Sequence, residues 1–214
     1  MAFQNLIISV GGLAVQYVIN SYGFLFVAGF TATNKLYGLI ELAAISYGYA
    51  ITAYVGQNQG AKNILRIRKG LHSSLFISFL SSLCISLLMI FGGHSILSLF
   101  ISGTPEHTAQ VMKIAYRYLF LMSVFLWVLY LLYVYRSSLQ GLGNTFIPLL
   151  SSFVELAMRL SAIFLLPNFI GDLGIFLAEI CAWSGAALFL AVSYYYIMWK
   201  QSISQNKFSK HYST

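Results

Sequence analysis

The sequence predicts an all-α integral membrane bundle of six helices, and three observations carry that prediction. Hydrophobic residues make up 59% of the 214-residue chain and charged residues only 8%, against roughly 25% charge in a soluble globular protein. The apolar residues gather in runs of about twenty or more, the length that ~1.5 Å per residue needs to cross ~30 Å of hydrocarbon. These runs are continuously apolar, unlike the ~10-residue stretches of alternating polarity that build a transmembrane barrel. Five acidic residues beside 17 Phe and 15 Tyr exclude a disordered or acidic chain.

The first run extends from about Phe3 to Tyr22, with Ser21-Tyr22-Gly23 as its break. No charge precedes Lys35, so the basic start of a cleaved signal peptide is missing and the run is expected to be retained. A second run spans about Leu25 to Gly56, although hydropathy also permits a break at Thr31 to Lys35. After the polar stretch Gln57 to Gly70 comes a third, Leu71 to Phe91, which Gly92-Gly93 is expected to end. His94 to Ile101 reads as a short interfacial helix, and Ser102-Gly103-Thr104-Pro105 as a loop whose proline opens the next helix. The fourth run continues from Glu106 to Gln140, ended by Gly141-Leu142-Gly143-Asn144, where glycine suits a left-handed cap. A fifth spans Thr145 to Leu166, stopped by Pro167-Asn168, and a sixth Gly171 to Trp199. Residues 1–200 are thus the expected transmembrane lobe, and 201–214 a polar, frayed tail.

The twelve Lys and Arg and the net charge of +7 point to anionic lipid headgroups before nucleic acid, because most of these cations sit between apolar runs. Lys62, Arg66, Arg68 and Lys69 follow the second run, Arg136 lies near the end of the fourth, and Lys200, Lys207 and Lys210 follow the sixth. Alternating crossings put all three places on one face, which the positive-inside rule makes cytoplasmic. Both termini are then expected inside the cell, with Tyr194-Tyr195-Tyr196 and Trp199 at that interface. Glu106 and Asp172 belong to the opposite connections, with Lys113 and Arg117 a turn or more into the fourth helix.

No HExxH, GxSxG, CxxC or P-loop occurs, so an enzyme is not expected. Cys84 and Cys181 sit inside apolar runs, where a thiol behaves as a small hydrophobe. The informative residues are polar groups within the spans, each costing ~2.5–3.5 kcal/mol at a helix centre unless paired or hydrated. Glu155 and Arg159 lie four apart on one helical face, with the acid on the favourable N-terminal side, and read as a self-neutralising structural pair. Glu41 and Glu179 have no such neighbour and are candidate proton- or cation-binding carboxylates; Glu179 could equally be hydrated near the outer headgroups. Gln16 and Asn20, four apart on the first helix, form a polar face that serves either as interhelical glue or as cavity lining. Gly11, Gly12, Gly38, Gly48, Gly185 and Ala186 read as close-packing positions, as do the serines of the third run, Ser73 to Ser86.

The string Val55-Gly56-Gln57-Asn58-Gln59-Gly60-Ala61-Lys62, followed by Arg66 and Lys69-Gly70, resembles the VGQN-x-GA segment of multidrug and toxic compound extrusion (MATE) transporters. Gln140-Gly141-Leu142-Gly143-Asn144-Thr145, continuing to Pro148, is similar to that family's RG-x-GNT...P segment, and Glu155-x-x-x-Arg159 to its following helix. Phe3-Gln4-Asn5, Ala14-Val15-Gln16 and Ile19-Asn20-x-x-Gly23 resemble the start of the C-terminal half in the bacterial branch. Two departures are Gln140 where arginine is common, and a fourth helix without the carboxylate that some members use as a cation ligand.

The resemblance implies one six-helix lobe of a MATE-type antiporter in the cell membrane, exporting cationic or amphipathic drugs against Na⁺ or H⁺ by alternating access, with no other cofactor. It also implies a missing partner, since members carry two such halves: an N-terminal half, or a second copy of this chain. Met1 falls directly at the first helix, which favours a truncated product. The alternatives are a related flippase for lipid-linked sugars, which calls for a far more cationic cavity, and an inactive membrane fragment.

Overall fold

The computed structural model describes residues 2–211, with side chains described over 3–201. Eight helices follow in order: α1 (Ala2–Asn20), α2 (Phe24–Gly60), α3 (Ile64–Leu97), α4 (Pro105–Val124), α5 (Leu126–Gly141), α6 (Phe146–Leu165), the single turn α7 (Pro167–Ile170) and α8 (Asp172–His211). Among the described residues there is no strand. This is the all-α membrane bundle that the composition predicts. Four segments, α2, α3, the combined Phe146–Ile170 segment and Asp172–Gln201, are each long and apolar enough to cross a membrane; α4 with α5, bent by 50°, adds a fifth when the pair is counted as one broken span. Helix α1 holds 19 residues without a charge, which reach ~28 Å, and it lies against α6.

The two polar stretches that resemble a family motif fold alike. After α2, the Asn63 N–H donates to the Asn58 carbonyl (2.9 Å) and Lys62 N–H to Gln59 (3.0 Å). After α5, Asn144 donates to Leu139 (3.0 Å) and Gly143 to Gln140 (2.9 Å). Both are Schellman closures, which satisfy the last orphan carbonyls of a helix. The Asn side chain then turns to the next helix: Asn63 Oδ1 accepts from Arg66 N–H (3.1 Å) and Asn144 Oδ1 from Ile147 N–H (3.0 Å). The left-handed residue is Gly143 (φ 80°) in the second stretch, as expected, but Lys62 (φ 55°) in the first, where a glycine was expected.

Three boundaries differ from the sequence expectation. Helix α3 starts at Ile64 and passes through Gly92-Gly93 to Leu97, taking in the first part of the segment expected as a separate interfacial helix. Gly93 is a contact and not a stop: a Cβ there would stand 2.6 Å from Leu119 Cδ2. Helix α2 is not one of these: it runs unbroken through Thr31 to Lys35, as the single run Leu25 to Gly56 has it, and Thr33 Oγ1 donates there to the Ala115 carbonyl of α4 (2.8 Å). The fourth span breaks at Phe125 without Pro or Gly. Ser123 Oγ bonds back to the Leu119 carbonyl (2.7 Å) and Ser86 Oγ of α3 caps the Ser123 carbonyl (2.6 Å); such back-bonding bends helices, and the third-helix serine satisfies backbone at the bend. Helix α8 continues through the expected tail to His211; residues 212–214, and the side chains of Lys207 and Lys210, lie outside the described residues.

Small residues set the helix spacing only in part as expected. Added Cβ atoms at Gly11, Gly48 and Gly185 would meet Arg159, Ser137 and Met158 at 2.7–2.8 Å, whereas Gly12 and Gly38 face open space. Ser78, Ser82 and Ser86 are buried on the inner face of α3, four residues apart and so on one stripe.

Candidate functional site

Stripes at helical spacing converge inside the bundle. Tyr37 and Glu41 sit one turn apart on α2, Tyr133 and Arg136 on α5, Glu155 and Arg159 on α6, and Glu179 and Trp183 on α8. All eight line one cavity of about 240 Å³. Charged heads cannot be left bare in an apolar bundle, and ion pairs engage four of these eight, although Arg136 Nε has no hydrogen-bond partner.

Arg159 lies between two acids. Its Nη2 donates to Glu155 Oε1 (3.0 Å) and to Glu179 Oε2 (2.8 Å), and its Nε also reaches Glu179 Oε2 (3.2 Å). Glu155 in turn accepts from Arg136 Nη2 on its second oxygen (2.7 Å). The result is an alternating chain, Arg136–Glu155–Arg159–Glu179, in which the first three side chains are 4–8% exposed and Glu179 17%. Two guanidinium groups against two carboxylates leave no net formal charge, the condition under which ions survive in low dielectric. Gly11 of α1 lets that helix close over Arg159.

The expected Glu155–Arg159 pair is therefore present, but as the middle of a longer chain. Glu179 is held by Arg159 of the neighbouring helix and not by water near the headgroups. Arg136, read as an orienting cation near the end of the fourth helix, is a buried member of the site; the signal for it was Tyr133 at i−3, which places Arg136 on the same stripe of a continuous helix. Glu41 stands apart from the ion pairs: Tyr133 Oη donates to its Oε1 at 2.8 Å, and Lys35, exposed on α2, forms no ion pair with it. Gln16 and Asn20 do not line this cavity; Gln16 Nε2 donates to Asn20 Oδ1 (2.8 Å) along the exposed face of α1. A second chamber of about 200 Å³ shares Tyr133 and Arg136 with the first and is lined by Gln4, Thr52, Ser137 and Gln140, with no acid.

The ends of the bundle are as distinct as its middle. Arg68 Nη2 donates to the Met198 carbonyl (3.0 Å), which brings the start of α3 and its basic residues to the end where Tyr194 meets Tyr195 edge to face and Tyr196 lies tilted against Trp199. Arg117 and Asp172 meet at 3.2 Å at the other end.

A buried ion chain beside an internal cavity, in a bundle whose two Gln/Gly/Asn turns fold alike, is a specific combination. The MatE family model matches residues 1–165, which takes in α1 to α6 and both turns. The chain belongs to the MatE family. Among curated proteins, this MatE chain is 24% identical over 207 residues to "Probable multidrug resistance protein YoeA" of Bacillus subtilis (strain 168), covering 94% of the chain and 42% of that protein. A second B. subtilis protein, "Probable multidrug resistance protein YpnP", is 39% identical over 64 residues, 30% of this chain and 14% of that one. Among solved structures, the bent form of the Vibrio cholerae MATE transporter VcmN superposes with a TM-score of 0.84 at 19% identity, over 94% of this chain and 45% of that one. A MOP superfamily transporter from Pyrococcus furiosus does so with a TM-score of 0.78 at 16% identity, over 88% and 41%. The structural likenesses establish the fold. The chain spans less than half the length of each of these relatives.

Proposed function

We propose that this chain is one lobe of a cation-coupled multidrug efflux antiporter. The observation that carries the reading is Glu41: a carboxylate in an apolar span that faces a cavity and is held by a tyrosine hydroxyl, while the other buried acids, Glu155 and Glu179, are already engaged by arginine. It is the group free to take up a proton or Na⁺. With Glu41, Glu155 and Glu179 against Arg136 and Arg159, the cavity has three acids to two bases. That excess favours cationic or amphipathic drugs over the anionic head of a lipid-linked sugar.

Alternating access requires two bundles that rock against each other, so the working unit adds a second six-helix half, as an N-terminal half or as a second copy of this chain. The basic residues Lys62, Arg66, Arg68, Lys69 and Lys200 support an orientation in the cell membrane with that end, and both termini, cytoplasmic. Gln16 and Asn20 bear on function only if the second half brings their face of α1 onto a shared cleft. The test is ethidium export from vesicles in which this chain is assembled with a first half. Export driven by an imposed Na⁺ or H⁺ gradient supports the reading, and gradient-independent retention of the dye refutes it.

A further inference from the structure

At the end of the bundle away from the Gln57–Lys62 turn, α3 and α4 leave an open groove of about 540 Å³. It is lined by Met112, Tyr116 and Phe120 together with His94, Lys113 and Arg117, with no acid among its lining residues; Lys113 and Arg117 are exposed. Lys113 and Arg117 lie four apart, on one face of α4. The His94 and Tyr116 rings meet edge to face at 6.1 Å, and Tyr116 Oη is tied to the Ile90 carbonyl (2.7 Å), so this wall is fixed. The Arg117–Asp172 bond places the cations at the depth where α8 begins, which is the level of the headgroups at that end. It engages one guanidinium nitrogen, Nη1, and the pair is nearly half exposed. Lys113 takes part in no ion pair among the described residues.

These cations stand on the face where the positive-inside rule expects few, and the drug cavity does not use them. An apolar groove beside two exposed cations, with no acid in its lining and at headgroup depth, matches a phosphodiester with acyl chains. We propose that the α3–α4 groove is a binding site for one anionic phospholipid of the leaflet at that end, its phosphate between Lys113 and Arg117 and its chain along Tyr116 and Phe120. The apolar wall is what selects a lipid over a free phosphate, which would gain nothing from it.

The experiment is native mass spectrometry of this chain, released from neutral detergent containing equimolar phosphatidylglycerol and phosphatidylcholine with matched acyl chains. One cation near an anionic lipid is worth roughly fivefold in affinity, so two should make the chain retain phosphatidylglycerol roughly 25-fold over phosphatidylcholine. Lys113→Gln should cut that preference about fivefold and Lys113→Gln with Arg117→Gln should abolish it, while Arg66→Gln with Lys69→Gln at the opposite end leaves it in place. Lys113→Gln with Arg117→Gln and Asp172→Asn removes both cations without stranding an acid, and should likewise abolish the preference should the first double variant not fold. Equal retention of the two lipids by the parent overturns the proposal. So does a preference lost equally in the Arg66/Lys69 variant, which would indicate net charge alone. Displacement of the lipid by inorganic phosphate would also overturn it, as would a dimer mass abolished by the groove variants, which would assign the face to a protein.

Discussion

Replacing Glu155 by Leu should be among the most damaging single changes in the bundle, and the ion chain says by how much and how to repair it. Glu155 is the sole ion-pair partner of Arg136 among the described residues, at 2.7 Å, whereas Arg159 keeps Glu179 at 2.8 Å when Glu155 is gone. Arg136 is 8% exposed, so the variant leaves one guanidinium buried without a counter-ion, a loss of about 3–5 kcal/mol. Removing Arg136 with it, as Arg136→Met/Glu155→Leu, leaves the Arg159–Glu179 pair whole and should bring stability back to within about 1–2 kcal/mol of the parent. Removing Glu155 and Arg159 together strands Arg136 at one end and Glu179 at the other, so this double change should be worse than Glu155→Leu alone. Unfolding free energies in mixed micelles, measured for these four proteins and for Arg136→Met alone, give the order and the Arg136–Glu155 coupling. An Arg136–Glu155 coupling below about 0.5 kcal/mol, or a Glu155/Arg159 double variant more stable than the Glu155 single, would refute the chain as drawn.

Gly141→Ala should cost about 1–3 kcal/mol, as overpacking does, because its Cβ would meet the Thr52 carbonyl and Val55 Cβ at 2.8 Å, whereas Gly38→Ala, facing open space, should be neutral in the same unfolding assay. Ser86→Ala removes the hydroxyl that caps the Ser123 carbonyl at the bend in the fourth span; a loss of about 1–3 kcal/mol is expected for the stranded acceptor, and no change would mean that the bend does not need it. A cysteine at position 66 should react with a membrane-impermeant reagent only from the cytoplasmic side of intact cells, and labelling from outside would reverse the topology.

The fold was legible because run length and continuity are properties of single segments. Gln59-Gly60-Ala61-Lys62-Asn63 and Gln140-Gly141-Leu142-Gly143-Asn144 marked two helix ends correctly, since a Schellman closure depends on the residues that make it. What could not be read was anything decided by a neighbour. Gly92-Gly93 resembled a stop because the sequence does not show Leu119 pressing on that site, and the bend at Phe125 depends on a serine from α3. The same holds for the site. The Glu155–Arg159 pair was readable as an i,i+4 contact within one helix, but Arg136 and Glu179 join it from α5 and α8, and only the packing of three helices turns a pair into a chain. Gln16 and Asn20 were read as interhelical glue or cavity lining, since periodicity gives a shared face and not the direction in which that face points.

The central claim is that Glu41 couples ion movement to drug movement. Its most direct measurement is ethidium export from proteoliposomes that carry this chain assembled with a first half, under an imposed Na⁺ or H⁺ gradient, comparing the parent with Glu41→Gln. Glutamine keeps the shape and an acceptor for Tyr133 Oη but cannot ionise, so gradient-driven export should fall at least roughly tenfold, the change that loss of ~1.4 kcal/mol of coupling produces, while folded yield stays at the parent level. Export by Glu41→Gln at the parent rate under either gradient would contradict the account.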